Sequence, residues 1–66
     1  MKNSIKVERA RRSLTQTELA EIVGVTRLTI HSIETGKFNP SVMLALKIAS
    51  CFGMPVESVF ELEEDD

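Results

Sequence analysis

A glycine flanked by two helix-start signals is the feature that most constrains how this chain can fold. Thr15 and Glu18 have the spacing of a capping box, in which each side chain bonds the backbone amide of the other residue at a helix N-terminus. Gly24 suits the left-handed conformation that ends a helix, and only Val25 separates it from Thr26, a second N-cap residue. The sequence therefore predicts two short helices joined by a tight turn and crossing at a large angle.

The apolar residues around this turn have the spacing that such a helix pair requires. Ala20 lies where the two helices would cross, and its small side chain permits close approach of the backbones. Ile30 and Ile33 share one face of the second helix and can hold it on a core. These positions predict a helix-turn-helix over about residues 16–35.

Helix signals continue on both sides of this pair. A first helix should end near Ser13, a fourth should be capped by Ser41 and stopped by Gly53, and Pro55 should open a last short helix. Sustained alternation of apolar and polar residues is absent, so strands should be absent or confined to residues 60–62. We therefore predict an all-α fold of about five helices over residues 1–62, followed by an acidic tail at residues 63–66.

The charge of the chain is divided unequally along its length. Residues 1–47 contain all eight basic residues and four acidic ones, a net +4, whereas residues 48–66 contain six acidic residues and no basic one. The formal net charge of -2 therefore does not exclude a polyanionic partner for the first part of the chain.

The content of reactive residues excludes several kinds of site. One cysteine, Cys51, and one histidine, His31, are too few for an internal disulfide, the usual zinc ligand sets or a nucleophile–base pair. We therefore expect no metal site, no cofactor and no enzymatic activity. The apolar runs are too short for a membrane span, so we expect no membrane association and a cytoplasmic location.

Several short motifs occur in a characteristic order along the chain. They are LTQ at residues 14–16, ELA at 18–20, GVTR at 24–27, TI at 29–30, IE at 33–34, GK at 36–37, NPS at 39–41 and LKIA at 46–49. In these motifs the chain resembles the phage repressor and Cro-like (XRE) family of helix-turn-helix proteins over about residues 5–60. The resemblance implies a compact five-helix repressor/Cro-like domain that binds double-stranded DNA as a homodimer.

The resemblance also implies which residues read the bases. The second helix of the pair would enter the major groove and present Arg27, Leu28, His31 and Ser32 to base edges. Arg27 can bond both O6 and N7 of guanine, with a phosphate contact as the alternative. Leu28 replaces a commoner polar residue, and either packs on a thymine methyl group or is an ordinary exposed residue. His31 is either a neutral surface residue or strengthens binding when protonated.

The resemblance also implies phosphate contacts for residues that lie next to the base-reading positions. Gln16 and Thr17 begin the first helix of the pair, and helix N-termini present free amides to phosphate oxygens. Thr26, Lys37 and Asn39 match other backbone-contacting positions of the family, with solvated loop residues as the alternative. Gln16 would also brace the reading helix.

Two positions of the first helix are implied to have structural roles. Arg9 and Glu34 match a pair that forms an ion bridge between the first and third helices. Glu8 occupies a position that is usually large and apolar in the family, and Val7 is the expected substitute in the core.

The helix after Ser41 has more apolar residues than one buried face requires. The expected core stripe is Val42, Ala45, Leu46, Ala49 and Phe52. The surplus apolar residues predict a homodimer interface formed by Leu44, Cys51, Met54, Phe60 and Leu62. The alternative is a wider core stripe that the end of the chain covers.

Two functional hypotheses follow from these patterns. The first is a sequence-specific DNA-binding transcriptional regulator, a dimeric repressor that reads a near-palindromic operator through the major groove. The second is a protein-interaction module, such as an antitoxin or adaptor, whose protein partner comes first and whose DNA binding is secondary. The acidic tail is either a solvated end or a device that repels DNA from the wrong face.

Overall fold

The computed structural model describes residues 1–66 and consists of five helices and two very short strands. The elements in chain order are β1 Lys2–Asn3, α1 Ile5–Arg11, α2 Gln16–Val23, α3 Arg27–Glu34, α4 Val42–Phe52, α5 Val56–Val59 and β2 Phe60–Glu61. No helix has both the length and the apolar character that crossing a membrane requires.

The predicted boundaries of the central helices are confirmed. Thr15 Oγ1 accepts from the Glu18 amide at 3.0 Å, and Glu18 Oε1 accepts from the Thr15 amide at 2.9 Å, which completes the capping box of α2. Gly24 adopts the left-handed conformation with φ 80°, and the Thr26 hydroxyl then caps α3. Because α3 begins so soon after α2 ends, the two helices pack closely and form a helix-turn-helix.

One core joins all five helices. It is formed by twelve buried apolar residues: Ile5, Leu19, Ala20, Val23, Ile30, Ile33, Leu44, Ile48, Ala49, Phe52, Val59 and Phe60. Every helix contributes at least one of them, so α2 and α3 are held at fixed positions relative to the rest of the chain.

The all-α prediction needs one correction, because the two ends of the domain form a small antiparallel sheet. Lys2 pairs with Glu61 and Asn3 pairs with Phe60. Strands of two residues are too short to show an alternating pattern, and sequence analysis therefore missed β1. Asn3 also donates to the Ile33 carbonyl at 2.9 Å and accepts from the Ile5 amide at 3.2 Å, which links the sheet to α1 and α3.

The first helix differs from its prediction in two respects. It ends at Arg11, because Ser13 adopts a left-handed φ of 52°. The expected exchange of Glu8 for Val7 in the core is wrong: Glu8 is buried and Val7 is exposed. Glu8 can occupy an interior position because Arg11 and Arg12 pair with its carboxylate, at 3.2 Å and 2.8 Å.

The buried face of α4 is also displaced from the predicted stripe. Val42 and Leu46 are exposed, and the core face is formed by Leu44, Ile48, Ala49 and Phe52. A helix this rich in apolar residues fits more than one orientation, and contact with α2 and α5 selects the observed one.

Two residues of the predicted dimer interface belong to this core. Leu44 and Phe60 are buried within the single chain and have too little accessible surface to form an interface between chains. Cys51 and Met54 are half-buried, and Leu62 is exposed.

Candidate nucleic-acid interface

Helix α3 presents one side to solvent along its whole length. Ile30 and Ile33 anchor the opposite side in the core, and Ile30 has no accessible surface. The solvent-facing side carries the four predicted base-reading residues, and we call it the outer face of α3: Arg27, Leu28, His31 and Ser32. The first three are exposed and Ser32 is half-buried. A helix about 10–12 Å across with its side chains can enter the major groove of B-DNA, which is about 12 Å wide.

The Gln16 side chain links α2 to this outer face. Its Oε1 accepts from Arg27 Nη1 at 3.2 Å, and its Nε2 lies 3.4 Å from His31 Nδ1 and donates to Glu34 Oε1 at 3.2 Å. One amide thus contacts residues at the start, middle and end of α3. The bracing role that the resemblance implies for Gln16 has a direct geometric basis in these three contacts.

An ion pair lies beneath this network. Arg9 Nε donates to Glu34 Oε2 at 2.7 Å and Arg9 Nη2 donates to Glu34 Oε1 at 3.1 Å, a two-point contact between α1 and α3. Arg9 Nη1 also donates to the Leu14 carbonyl at 2.9 Å. The pair is largely buried. Because it joins the two helices at two points, it fixes the orientation of α3 relative to α1.

The predicted phosphate contacts fall into two groups. Gln16 and Thr17 are the first residues of α2, and their backbone N–H groups have no intrahelical acceptor. Because the Gln16 side chain already contacts α3, its backbone N–H is the group free to bind a phosphate. Thr26 caps α3, whereas Lys37 and Asn39 are exposed in the loop after α3.

The start of α2 also holds a carboxylate in its charged form. Hydrogen bonds from the Thr15 backbone N–H and then from its hydroxyl lower the pKa of Glu18 from its ordinary value. The capping box therefore favours the ionised form of Glu18.

Sequence analysis missed Phe38 as a candidate interface residue. The Phe38 side chain is exposed, and it lines a shallow depression beside Leu28 together with Thr26, Thr29 and Ser32. An aromatic residue in the otherwise polar loop of residues 35–41 was the available signal. Its position beside Leu28 depends on the loop folding back on α3, where the Phe38 amide donates to the Ser32 carbonyl.

A second apolar surface lies between α2 and α4, and we call it the α2–α4 groove. Its lining includes Ile22 of α2 and Met43, Leu46 and Cys51 of α4. Ile22, Met43 and Leu46 are exposed large apolar residues. Of the predicted interface residues, only Cys51 is part of this groove.

Comparison with known proteins agrees with this architecture. Residues 5–59 match the family model described as helix-turn-helix. The chain is 52% identical to the HTH-type transcriptional regulator YgzD of Bacillus subtilis and 50% identical to one from Methanocaldococcus jannaschii. Both comparisons extend over all of this chain and all of the relative.

A solved structure shares the fold as well. The restriction-modification controller protein C.AhdI from Aeromonas hydrophila superimposes with a TM-score of 0.78 at 27% identity, over 85% of each chain. The relatives are regulators and not enzymes, in agreement with the absence of a nucleophile–base pair predicted from the sequence. The chain belongs to the Cro-like helix-turn-helix family of DNA-binding transcriptional regulators.

Proposed function

We propose that this regulator is a dimeric repressor that reads a near-palindromic operator by placing the outer face of α3 in the major groove. The observation that carries the proposal is the exposed outer face, held in one orientation by the Gln16 contacts and the Arg9–Glu34 ion pair. A reading helix fixed in this way contacts bases without a large ordering cost on binding.

We assign different DNA contacts to two exposed cations, Arg27 and Lys37. Arg27 lies on the first turn of α3 and its guanidinium can bond two acceptors of one guanine, which is base-specific. Lys37 is exposed in the loop after α3, where an ammonium group suits a phosphate contact that is independent of sequence. His31 and Ser32 lie one turn further along the outer face, within reach of neighbouring bases.

The division between these two cations can be tested on DNA that the protein itself selects. Duplexes enriched from a random pool are titrated with wild-type protein, Arg27→Ala and Lys37→Ala at several salt concentrations. Arg27→Ala should lose about 1–3 kcal/mol of discrimination at one base pair per half-site. Lys37→Ala should weaken all duplexes equally and reduce the salt slope by about 1. Equal effects of both changes on every sequence, or no enrichment at all, would contradict the proposal.

The α2–α4 groove supports the proposed dimer. Large apolar side chains concentrated on one surface of a small domain mark an interaction site. A second copy docked there would give two outer faces, and the family's half-sites lie about 34 Å apart, one turn of DNA. We propose the groove as the interface in place of Leu44 and Phe60, because these two residues are buried in the core. Met54 and Leu62 do not line this groove.

Sedimentation of two matched variants tests the dimer. Leu46→Glu places a charge in the α2–α4 groove, whereas Val7→Glu places the same charge on the exposed surface of α1 outside it. Leu46→Glu should dissociate the dimer and Val7→Glu should not. A wild-type monomer at tens of micromolar, with and without DNA, would contradict the dimer and assign the groove to a different protein, as in an antitoxin or adaptor.

A further inference from the structure

The depression beside the outer face of α3 is lined by two apolar residues and three residues with hydroxyl groups. Leu28 and Phe38 supply the apolar part, with 63% and 50% of their surfaces exposed. Thr26, Thr29 and Ser32 complete the lining. Two large, exposed apolar side chains around one depression indicate a ligand that presents a small apolar group next to polar ones.

The depression is formed before any ligand binds. The backbone amides of Lys37 and Phe38 both donate to the Ser32 carbonyl, at 2.9 Å and 3.2 Å, so the loop is tied to the end of α3. At the other side, the hydroxyl oxygens of Thr26 and Thr29 lie 3.0 Å apart and share a hydrogen bond. Phe38 is therefore held near Leu28 although the two residues belong to different segments.

The surroundings of the depression favour DNA over a protein partner. Arg27 immediately precedes Leu28, and Lys37 immediately precedes Phe38, and both cations are exposed. Two exposed cations on the same helix and loop as these apolar residues complement a polyanion that presents an apolar group between its phosphate chains. In the major groove of unmodified DNA the C5-methyl group of thymine has this character, and it lies beside the O4 acceptor.

We propose that Leu28 and Phe38 together form a subsite for the C5-methyl group of one thymine in each half-site. The methyl group contacts both apolar side chains, and the neighbouring hydroxyl groups face the polar edge of the base pair. This assignment rests on the proposed entry of α3 into the major groove, and it adds Phe38, from outside the helix-turn-helix, to the residues that determine specificity.

Removal of the methyl group from DNA tests the proposal without changing the protein. In a duplex selected by the protein, each thymine is replaced in turn by deoxyuridine, which keeps the base-pairing edge and lacks only the C5-methyl group. One replacement per half-site should weaken binding about fourfold, the factor expected from burial of one methyl group. Replacement at other positions should have little effect.

Two protein variants assign the methyl group to this depression. In Leu28→Ala and in Phe38→Ala the difference between the thymine and deoxyuridine duplexes should shrink towards zero, whereas Val42→Ala, on exposed α4 surface, should retain it. Circular dichroism checks that each variant is folded.

The possible results separate the subsite from the proposed function. A duplex that binds tightly but is insensitive to deoxyuridine at every position would overturn the subsite and leave DNA reading intact. A methyl effect of unchanged size in both variants would also overturn it, because another residue would then contact the methyl group. Failure of the protein to bind any duplex would instead contradict the proposed function.

Discussion

At the scale of single residues, Glu8 illustrates how a charge can occupy a core position. Its side chain is only 7% exposed, and its two oxygens accept from Arg11 and Arg12. Arg12 also donates to the Phe52 carbonyl at 2.7 Å, at the end of α4, and its guanidinium lies 4.8 Å from the centre of the Phe52 ring. Glu8 therefore positions a cation that joins α1 to α4, which an apolar residue cannot do.

Replacement of Glu8 separates its charge from its volume. Glu8→Ala should lower the free energy of unfolding by about 1–3 kcal/mol, because it removes the buried carboxylate that accepts from Arg12 and leaves its volume unfilled. Glu8→Leu fills the position with apolar volume and should cost less than Glu8→Ala. Arg11→Ala, at a side chain 69% exposed, should cost less than about 1 kcal/mol. Urea unfolding of the three variants measures these differences, and equal losses in all of them would refute this role of Glu8.

The lowered pKa of Glu18 predicts how the stability of the fold depends on pH. Because the Thr15 hydrogen bonds lower its pKa in the folded chain, Glu18 stabilises the fold fully at pH values above the unfolded pKa of 4.5. That contribution is lost as the pH falls through the lower, folded pKa. Carbon-13 NMR titration of the Glu18 carboxyl should therefore give a midpoint below 4.5. A midpoint at or above this value would show that the capping box does not hold the charge.

At the scale of elements, local signals predicted the boundaries of α2, α3 and α4 and failed to predict which face of α4 is buried. The boundaries of α2, α3 and α4 depend on Thr15, Thr26 and Ser41 and on the glycines that follow, so a few neighbouring residues determine them. The buried face of α4 depends on contact with other elements, and its nine apolar residues fit several faces. The position of Phe38 likewise depends on a loop that closes on α3.

The turn between α2 and α3 can be tested by substitution at Gly24. This residue has φ 80°, and a Cβ added there meets no atom within 4 Å. The cost of Gly24→Ala is therefore backbone strain alone, about 1–2 kcal/mol of unfolding free energy. Gly24→Asn should cost less, because asparagine visits this conformation more readily. A loss in the alanine variant no larger than in the asparagine variant, measured by urea unfolding, would contradict this account of the turn.

At the scale of the whole molecule, the structure assigns different surfaces to different partners. The outer face of α3, the first residues of α2 and the loop that contains Lys37 and Phe38 form the proposed DNA surface. The α2–α4 groove is the proposed surface for a second copy. The sheet between β1 and β2 brings the two ends of the domain together, and Asn3 connects it to α3, so even the terminal residues help to hold the reading helix.

The sequence motifs were sufficient for the family and for the outer face of α3, because those residues lie on one short helix with clear boundaries. They were insufficient for the dimer surface, because burial of Leu44 and Phe60 is a property of the assembled core. The acidic residues 63–66 remain outside both proposed surfaces, and two of them, Glu63 and Asp66, lie 3.1 Å from the Met1 ammonium.

The most direct test of the central claim is an NMR titration of nitrogen-15-labelled protein with a selected duplex. The account predicts that the largest changes in amide shift occur in α3, at Gln16 and Thr17, and in the loop that contains Lys37 and Phe38. The amides of Met43, Leu46 and Cys51 should change less than these when DNA is added to protein that is already dimeric. Large changes confined to the α2–α4 groove, with α3 unaffected, would contradict the assignment of α3 as the DNA-reading helix.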